Sequence, residues 1–312
     1  MSAIRPATND TLEAIGNTPL VRLNKIVPAD SADVYVKMEM FNPTGSYKDR
    51  MALALIEEAE KRGDLRPGMT VVEYTGGSTG SSLALVCSVK GYRFQVVCSD
   101  AFAQEKLRTM EALGADLTIE PRVGGEITPE LWQRIINHAR ELAEQPGAYF
   151  TDQFNNRDAQ AGYRGIGREL LAQLPRVDAY CGMVGTAGMI MGVSAVLKAA
   201  RADTMIVAPE PSTSAVLSGG EPGNHRVEGT GAGFVPPGFD YDAVDEIRAI
   251  DEEQGRETAR RMAREEGIFS GISSGCNVLA ALEIARELGP GHTVVTVAVD
   301  SGLKYLAGDL YF

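Results

Sequence analysis

Asn42-Pro43-Thr44-Gly45-Ser46-Tyr47-Lys48-Asp49-Arg50 is the stretch that decides how this chain is read. It follows an alternating apolar run, Val34 to Met38, whose period of two predicts a strand. It precedes Met51 to Glu60, whose spacing predicts a helix. Lys48 therefore stands where a strand hands over to a helix N-terminus, a place where sites collect in α/β proteins. Lysine is the side chain that forms a Schiff base with an aldehyde once its amine has lost a proton. The competing reading is a solvated lysine beside Asp49 and Arg50 at the start of a surface helix.

Two glycine-rich loops lie downstream. Thr75-Gly76-Gly77-Ser78-Thr79-Gly80 follows a strand-like run, Thr70 to Tyr74, and precedes a helix-like one, Ser81 to Lys90. Its amides can converge on an anion at a helix N-terminus, and Ser78 and Thr79 add hydroxyls. A plain strand–helix turn with a capping serine explains one glycine there but not three with two hydroxyls. Gly185-Thr186-Ala187-Gly188-Met189-Ile190-Met191-Gly192 also runs from a strand-like segment into a helix. It has no lysine and so is not a P-loop, and no acidic residue follows at the distance a dinucleotide turn requires. A phosphate bound by backbone amides fits better. One reactive amine and two anion cradles are what a pyridoxal phosphate site needs. Gly271-Ile272-Ser273-Ser274-Gly275, before a helical run at 276–287, reads alone as a capped helix start. A serine hydroxyl beside a pyridine nitrogen would leave that nitrogen largely unprotonated, which suits elimination chemistry.

Outward from these loops, strand-like and helix-like runs alternate. Phe94 to Cys98, Ala115 to Ile119, Ala179 to Met183, Met205 to Ala208 and His292 to Val299 read as strands. Gln104 to Leu113, Pro129 to Glu144, a run ending near Ala200, Glu252 to Glu266 and Cys276 to Glu287 read as helices. Such alternation predicts an α/β protein with mostly parallel twisted sheets covered by helices. Ser212 to Asp240, rich in Gly, Pro and Ser, shows no periodicity and reads as a functional loop.

The chain has 312 residues, room for two α/β domains, and a net charge of −12 that disfavours nucleic acid and anionic membrane surfaces as partners. No apolar run is long enough to span a bilayer, and Met1 to Glu13 lacks the regions of a signal peptide, so a cytoplasmic location is expected. Cys87, Cys98, Cys181 and Cys276 sit in apolar contexts without metal-clamp spacing and read as buried free thiols. His138, His225 and His292 are scattered, so no metal site is expected.

The order of these motifs resembles the cysteine synthase (O-acetylserine sulfhydrylase) and cystathionine β-synthase family, with its tryptophan-synthase-β-like fold for pyridoxal 5′-phosphate (PLP). Ile15 to Leu23 is similar to the family's opening segment and Asn42 to Arg50 to its lysine motif, which implies Lys48 as the Schiff-base and catalytic residue. Glu210-Pro211-Ser212 and Leu217 to Gly223 resemble a stretch of its large domain, Gly229 to Pro236 its active-site loop, and Asp300-Ser301-Gly302 its ending. The resemblance implies a small domain of 1–12 and 35–147 and a large one of 13–34 and 148–312, with the larger sheet built from both ends of the chain. It implies cofactor contacts from Lys48, Ser78, Gly185, Thr186, Ala187, Gly188, Met189 and Ser273, and substrate contacts from Thr75, Gly76, Ser78, Thr79, Gln153 and Gly229. It also implies a homodimer acting on a small amino acid.

The implied activity is β-replacement on an O-activated serine, of O-acetylserine or O-phosphoserine type, through an aminoacrylate intermediate. A β-eliminating lyase and a low-turnover regulatory protein of the same fold are the alternatives; an intact Lys48 speaks against the second. Three departures bear on the substrate. Ser78 stands where the family usually has Asn, Ala187 and Met189 replace a Gly and a Thr, and Asn155 to Gly167 lacks the usual His and paired Thr.

Overall fold

The computed structural model describes residues 7–122 and 128–312. The elements in chain order are β1 (Leu20–Arg22), β2 (Asp33–Met38), α1 (Lys48–Arg62), β3 (Thr70–Tyr74), α2 (Ser78–Lys90), β4 (Arg93–Ser99), α3 (Gln104–Ala112), β5 (Asp116–Glu120) and α4 (Pro129–Ala143). Then come β6 (Ala148–Phe150), α5 (Asp158–Gln173), β7 (Ala179–Cys181), α6 (Gly188–Ala200), β8 (Met205–Pro211), β9 (Glu246–Ile250), α7 (Glu252–Arg261), α8 (Ile272–Leu288) and β10 (Thr293–Ala298). The protein is α/β, as the alternation of its sequence predicts.

The chain divides into two compact units. The smaller contains the chain up to Asn17, Asn42–Thr44 and Lys48–Thr151; the larger contains Thr18–Phe41, Gly45–Tyr47 and Asp152–Phe312. The smaller unit holds a parallel sheet in the order β5-β4-β3-β6. Its core joins Ile56, Leu83, Val86, Phe94, Val96 and Met110 from the sheet and its helices. The larger unit holds a six-stranded sheet in the order β1-β2-β10-β7-β8-β9, parallel except for β1 against β2. Both ends of the chain therefore meet in this sheet, where β2 near the N-terminus pairs with the last strand.

Several elements are larger than the sequence pattern predicts, and each has a physical reason. Helix α8 opens at Ile272, a turn before the apolar run, and so takes in Ser273 and Gly275. Gly275 lies against α7: a Cβ there would sit 2.1 Å from the Gly255 carbonyl oxygen, and one on Gly255 would sit 2.3 Å from Cys276 Sγ. Those glycines serve backbone contact between two helices. Helix α5 escapes a pattern reading because Gly162, Gly165 and Gly167 dilute it, each costing about 1 kcal/mol against alanine. Tertiary contact repays that cost. A Cβ on Gly167 would lie 2.7 Å from Val196 Cβ on α6, and one on Gly192 of α6 would lie 2.6 Å from the Gln160 carbonyl oxygen. Strands β1, β6 and β9 are too short or too polar to announce themselves. Helix α7 continues through a wider turn, Met262–Glu266, and stops at left-handed Gly267. The turn presents Glu266, whose Oε1 accepts from the amides of Asn24 (3.0 Å), Lys25 (2.5 Å) and Ile26 (2.9 Å), fixing the path from β1 to β2.

Among the described residues no helix is long and apolar enough to cross a membrane, and no cluster of His, Cys, Asp and Glu is placed to hold a metal. All four cysteines are free and buried. Burial disfavours the thiolate and pushes each thiol up to about 12. Only a trace of thiolate then exists at neutral pH, and none of these thiols is a nucleophile in the folded protein. A disulfide thiol reagent at neutral pH should therefore modify none of them in the native protein and all four after denaturation. Rapid modification of the folded protein would contradict this burial.

Candidate active site

In the smaller unit Lys48 is the first residue of α1, and its surroundings exclude a solvated side chain. Lys48 is 8% exposed, Arg50 6%, and Asp49 is fully buried. A carboxylate stripped of water must find donors inside the protein. Asp49 Oδ2 accepts from the Thr44 amide (2.8 Å), and Oδ1 accepts from the hydroxyls of Thr44 (2.5 Å) and Ser82 (2.6 Å). Thr44 belongs to the turn before the helix, and Ser82 to α2, one turn beyond Ser78. Asp49 thus closes the turn onto α1 and sets the first turn of α1 beside the first turn of α2. Across that junction the loop from Thr75 to Thr79 leaves β3. Thr75 Oγ1 accepts from the Gly77 amide (3.2 Å), and the Gly80 amide donates to the Gly77 carbonyl (3.1 Å). Thr75 and Thr79 are buried, while Gly76, Gly77 and Ser78 are half-buried. The positive end of the α2 dipole lies at this loop.

In the larger unit β7 leads into the loop that opens α6 at Gly188. Ala187, the residue before the helix, has φ +67° and ψ −14°. This left-handed conformation costs a non-glycine residue about 1–2 kcal/mol. Followed by a helix, it turns successive N–H groups to one side and makes an anion nest on a helix N-terminus. Gly229 rests on this loop: a Cβ on Gly185 would lie 2.2 Å from the Gly229 carbonyl oxygen, and the Gly231 amide donates to the Val184 carbonyl (3.0 Å). Buried Gln153 precedes Phe154, whose ring stacks on Phe234 of the same 229–236 segment at 5.5 Å between centroids. The side chain of Met189 turns into the core, where the Tyr180 hydroxyl donates to its Sδ (2.8 Å) and Gly182 leaves room for its methyl group. Position 189 therefore offers the loop its amide alone.

Ser273 lies in the first turn of α8, 2% exposed. Its neighbour Ser274 accepts from the Val299 amide (2.9 Å). Asn277, one turn on, ties the helix to the sheet: its Oδ1 accepts from the Met183 amide (2.7 Å) and its Nδ2 donates to the Val297 carbonyl (3.0 Å). Ser273 is thus fixed near the strand end that feeds the nest. A buried serine at the start of one helix and a left-handed turn at the start of another, in one unit, suit a ligand with a ring nitrogen at one end and a phosphate at the other. These residues fit PLP.

The smaller unit therefore brings together Lys48, Thr75, Gly76, Ser78 and Thr79, and the larger brings together Gln153, the 185–189 loop, Gly229 and Ser273. Sequence reasoning misses Asp49 and Asn277, the residues that orient these two groups. Asp49 reads in sequence as a surface charge because nothing local shows Ser82 waiting for it. Asn277 is a lone amide in an apolar helix, Cys276 to Ala281, and that contrast was its available signal.

Comparison with known proteins agrees with this geometry. Residues 11–300 match the family model described as pyridoxal-phosphate dependent enzyme. The cysteine synthase of Staphylococcus aureus is 43% identical over 312 residues, which span 99% of this chain and 98% of that protein. Among solved structures, O-ureido-L-serine synthase is 39% identical with a TM-score of 0.91, covering 98% of this chain and 95% of its own. The cysteine synthase of Entamoeba histolytica is 33% identical with a TM-score of 0.92, covering 100% of this chain and 94% of its own. Matched nearly end to end by the family model and by these relatives, this protein belongs to the pyridoxal-phosphate-dependent enzyme family.

Proposed function

We propose that this enzyme carries out β-replacement on an O-activated serine, of O-acetylserine or O-phosphoserine type, in the manner of a cysteine synthase. The observation that carries the reading is near-full-length identity of 43% to a cysteine synthase, together with the buried Lys48 at the head of α1. We assign Lys48 to the cofactor aldehyde, the amides of Gly185, Thr186, Ala187, Gly188 and Met189 to its phosphate, and Ser273 to its pyridine nitrogen. Ser78 faces the cofactor and, with Thr75, Gly76 and Thr79, takes the substrate carboxylate. Gln153 and Gly229 complete the substrate contacts. A cytoplasmic homodimer belongs to the same proposal: four buried free thiols suit a reducing compartment, and exposed Phe41 and Leu303 offer apolar surface for a second copy.

PLP, when bound, supplies an aldehyde for the amine and an electron sink for the substrate α-carbon. Lys48 Nζ would hold the cofactor aldehyde and, as a free amine, would take the substrate α-proton. Asp49 keeps that amine in position by fixing the first turn of α1. Ser273 offers a hydroxyl rather than a carboxylate and so does not hold a proton on the ring nitrogen. Serine at position 78 is shorter than the family's usual asparagine and opens space beside the α-carbon.

Three measurements test these assignments. Lys48→Ala should lose the visible absorbance of the protein-bound cofactor and lower β-replacement by about a thousandfold or more; full activity in this variant would refute the site. Ser273→Asp should keep cofactor binding but change turnover and the ratio of β-replacement to pyruvate release, and an unchanged ratio and rate would remove the serine from its role. Ser78→Asn should raise turnover of O-acetylserine relative to other β-substituted alanines. If neither turnover nor preference moves, Ser78 does not set specificity, and pyruvate as the main product with sulfide present would favour a lyase.

A further inference from the structure

The substrate loop of the smaller unit has glycines at both ends, and each is filled from the same neighbouring segment. A Cβ on Gly76 would lie 2.0 Å from Cγ of Phe102, inside the ring's own volume. A Cβ on Gly80 would lie 2.1 Å from Sδ of Met110. Phe102 leaves the end of β4 and Met110 lies on α3, so the segment between them forms the bed on which the loop rests. Hydrogen bonds hold the turn that carries Phe102. The Phe102 amide donates to the Ser99 carbonyl (3.1 Å), the Ala101 amide donates to the Ser99 hydroxyl (3.2 Å), and Ser99 is fully buried. The Phe102 ring also packs against Trp132 of α4, centroids 5.5 Å apart and planes tilted by 52°. Trp132 is the only tryptophan in the chain.

Gly76 has no left-handed backbone to justify it, so the ring alone forbids a side chain there. The ring occupies the volume that a side chain at 76 would fill. We infer that Phe102 is a positioning residue for the 75–79 loop, setting its affinity for an α-amino-acid carboxylate, and that Trp132 senses occupation of the loop through Phe102. This rests on the reading of 75–79 as the carboxylate loop. The coupling is steric: a loop that closes on a carboxylate must move its Gly76 edge against the ring, and the ring moves against the indole. Because the ring shapes the loop and not the reacting amine, its loss falls on substrate binding more than on the chemical step.

The test uses the holoenzyme and L-serine, which carries the same carboxylate with a poor leaving group. Its dissociation constant is read from the cofactor's visible absorbance and, separately, from Trp132 fluorescence. Phe102→Ala and Gly76→Ala should each raise that constant and the KM for O-acetylserine by about tenfold, with kcat nearly unchanged in Phe102→Ala. The double variant should return to within about threefold of wild type, because the new methyl group enters the space the ring has left. Fluorescence should respond to L-serine in the wild type and not in Phe102→Ala. Phe102→Leu, which keeps most of the apolar volume, should weaken binding less and guards against an unfolded alanine variant. Wild-type affinity in Phe102→Ala or in Gly76→Ala, or a double variant as poor as the product of the two singles, would overturn the inference. Thr79→Ala separates the levels. If it binds L-serine as wild type does, the carboxylate reading of the loop falls and takes this inference with it. If it weakens binding while both Phe102 variants leave it unchanged, only the inference fails.

Discussion

A buried carboxylate cannot be left without donors, and the geometry around Lys48 in the smaller unit follows from how Asp49 meets that demand. The chain cannot place a charge in the interior beside Lys48 unless the Thr44 turn folds back and Ser82 of the neighbouring helix turns inward. Once both have done so, two helix N-termini stand side by side with their first turns in register. One begins with the amine and the other with the loop that would take a carboxylate. The acid adjacent to the reactive lysine is therefore a brace. Removing it would leave the donors of Thr44 and Ser82 without their acceptor and free the turn that aims Lys48.

The larger unit solves the same problem with an amide. Asn277 can donate and accept at once, so one side chain holds the Met183 amide at the end of β7 and the Val297 carbonyl on β10. Close helix contact at Gly255 and Gly275 then fixes the start of α8 from the other side. Between these restraints the first turn of α8, with buried Ser273, is held against the sheet. The left-handed Ala187 is a second enforced feature, since strain of this kind persists only where the surroundings enforce it.

The α/β class and most strands and helices were legible in the sequence because period-two and helical spacings are local properties. The strand before Lys48 and the helices after each glycine loop lie where the spacing puts them, with ends shifted by a few residues. Helix α5 was not legible, because its glycines lower local propensity and their purpose, contact with α6, lies outside the segment. The candidate site was legible as separate motifs, each marked by composition at a strand–helix junction. What held each motif in place was not, since Asp49 with Ser82, Asn277 with Met183 and Gly76 with Phe102 are pairs distant in sequence. In a single chain their members look like a surface acid, a stray amide and an ordinary turn glycine.

Electrostatics explains why the anion sites take the form they do. With a net charge of −12 the chain's overall field repels an anionic cofactor and an anionic substrate alike. That field is screened within about 8–10 Å at ordinary ionic strength, so attraction has to be supplied at contact. Helix N-termini supply it without adding a cation, since their partial charges are fixed in direction and act over about one turn. On the proposed assignment, the loop at 185–189 would depend little on its side chains. Ala187 keeps the left-handed turn at a cost in strain, and Met189 gives its side chain to Tyr180 and the core, so both positions would serve an anion through their amides alone. The loop proposed for the carboxylate differs, because there Ser78 would contribute a side chain as well as an amide. A replacement at 187 or 189 is absorbed by the backbone, while a replacement at 78 changes the groups presented to the substrate, so divergence of chemistry within this fold should concentrate in the smaller unit's loop.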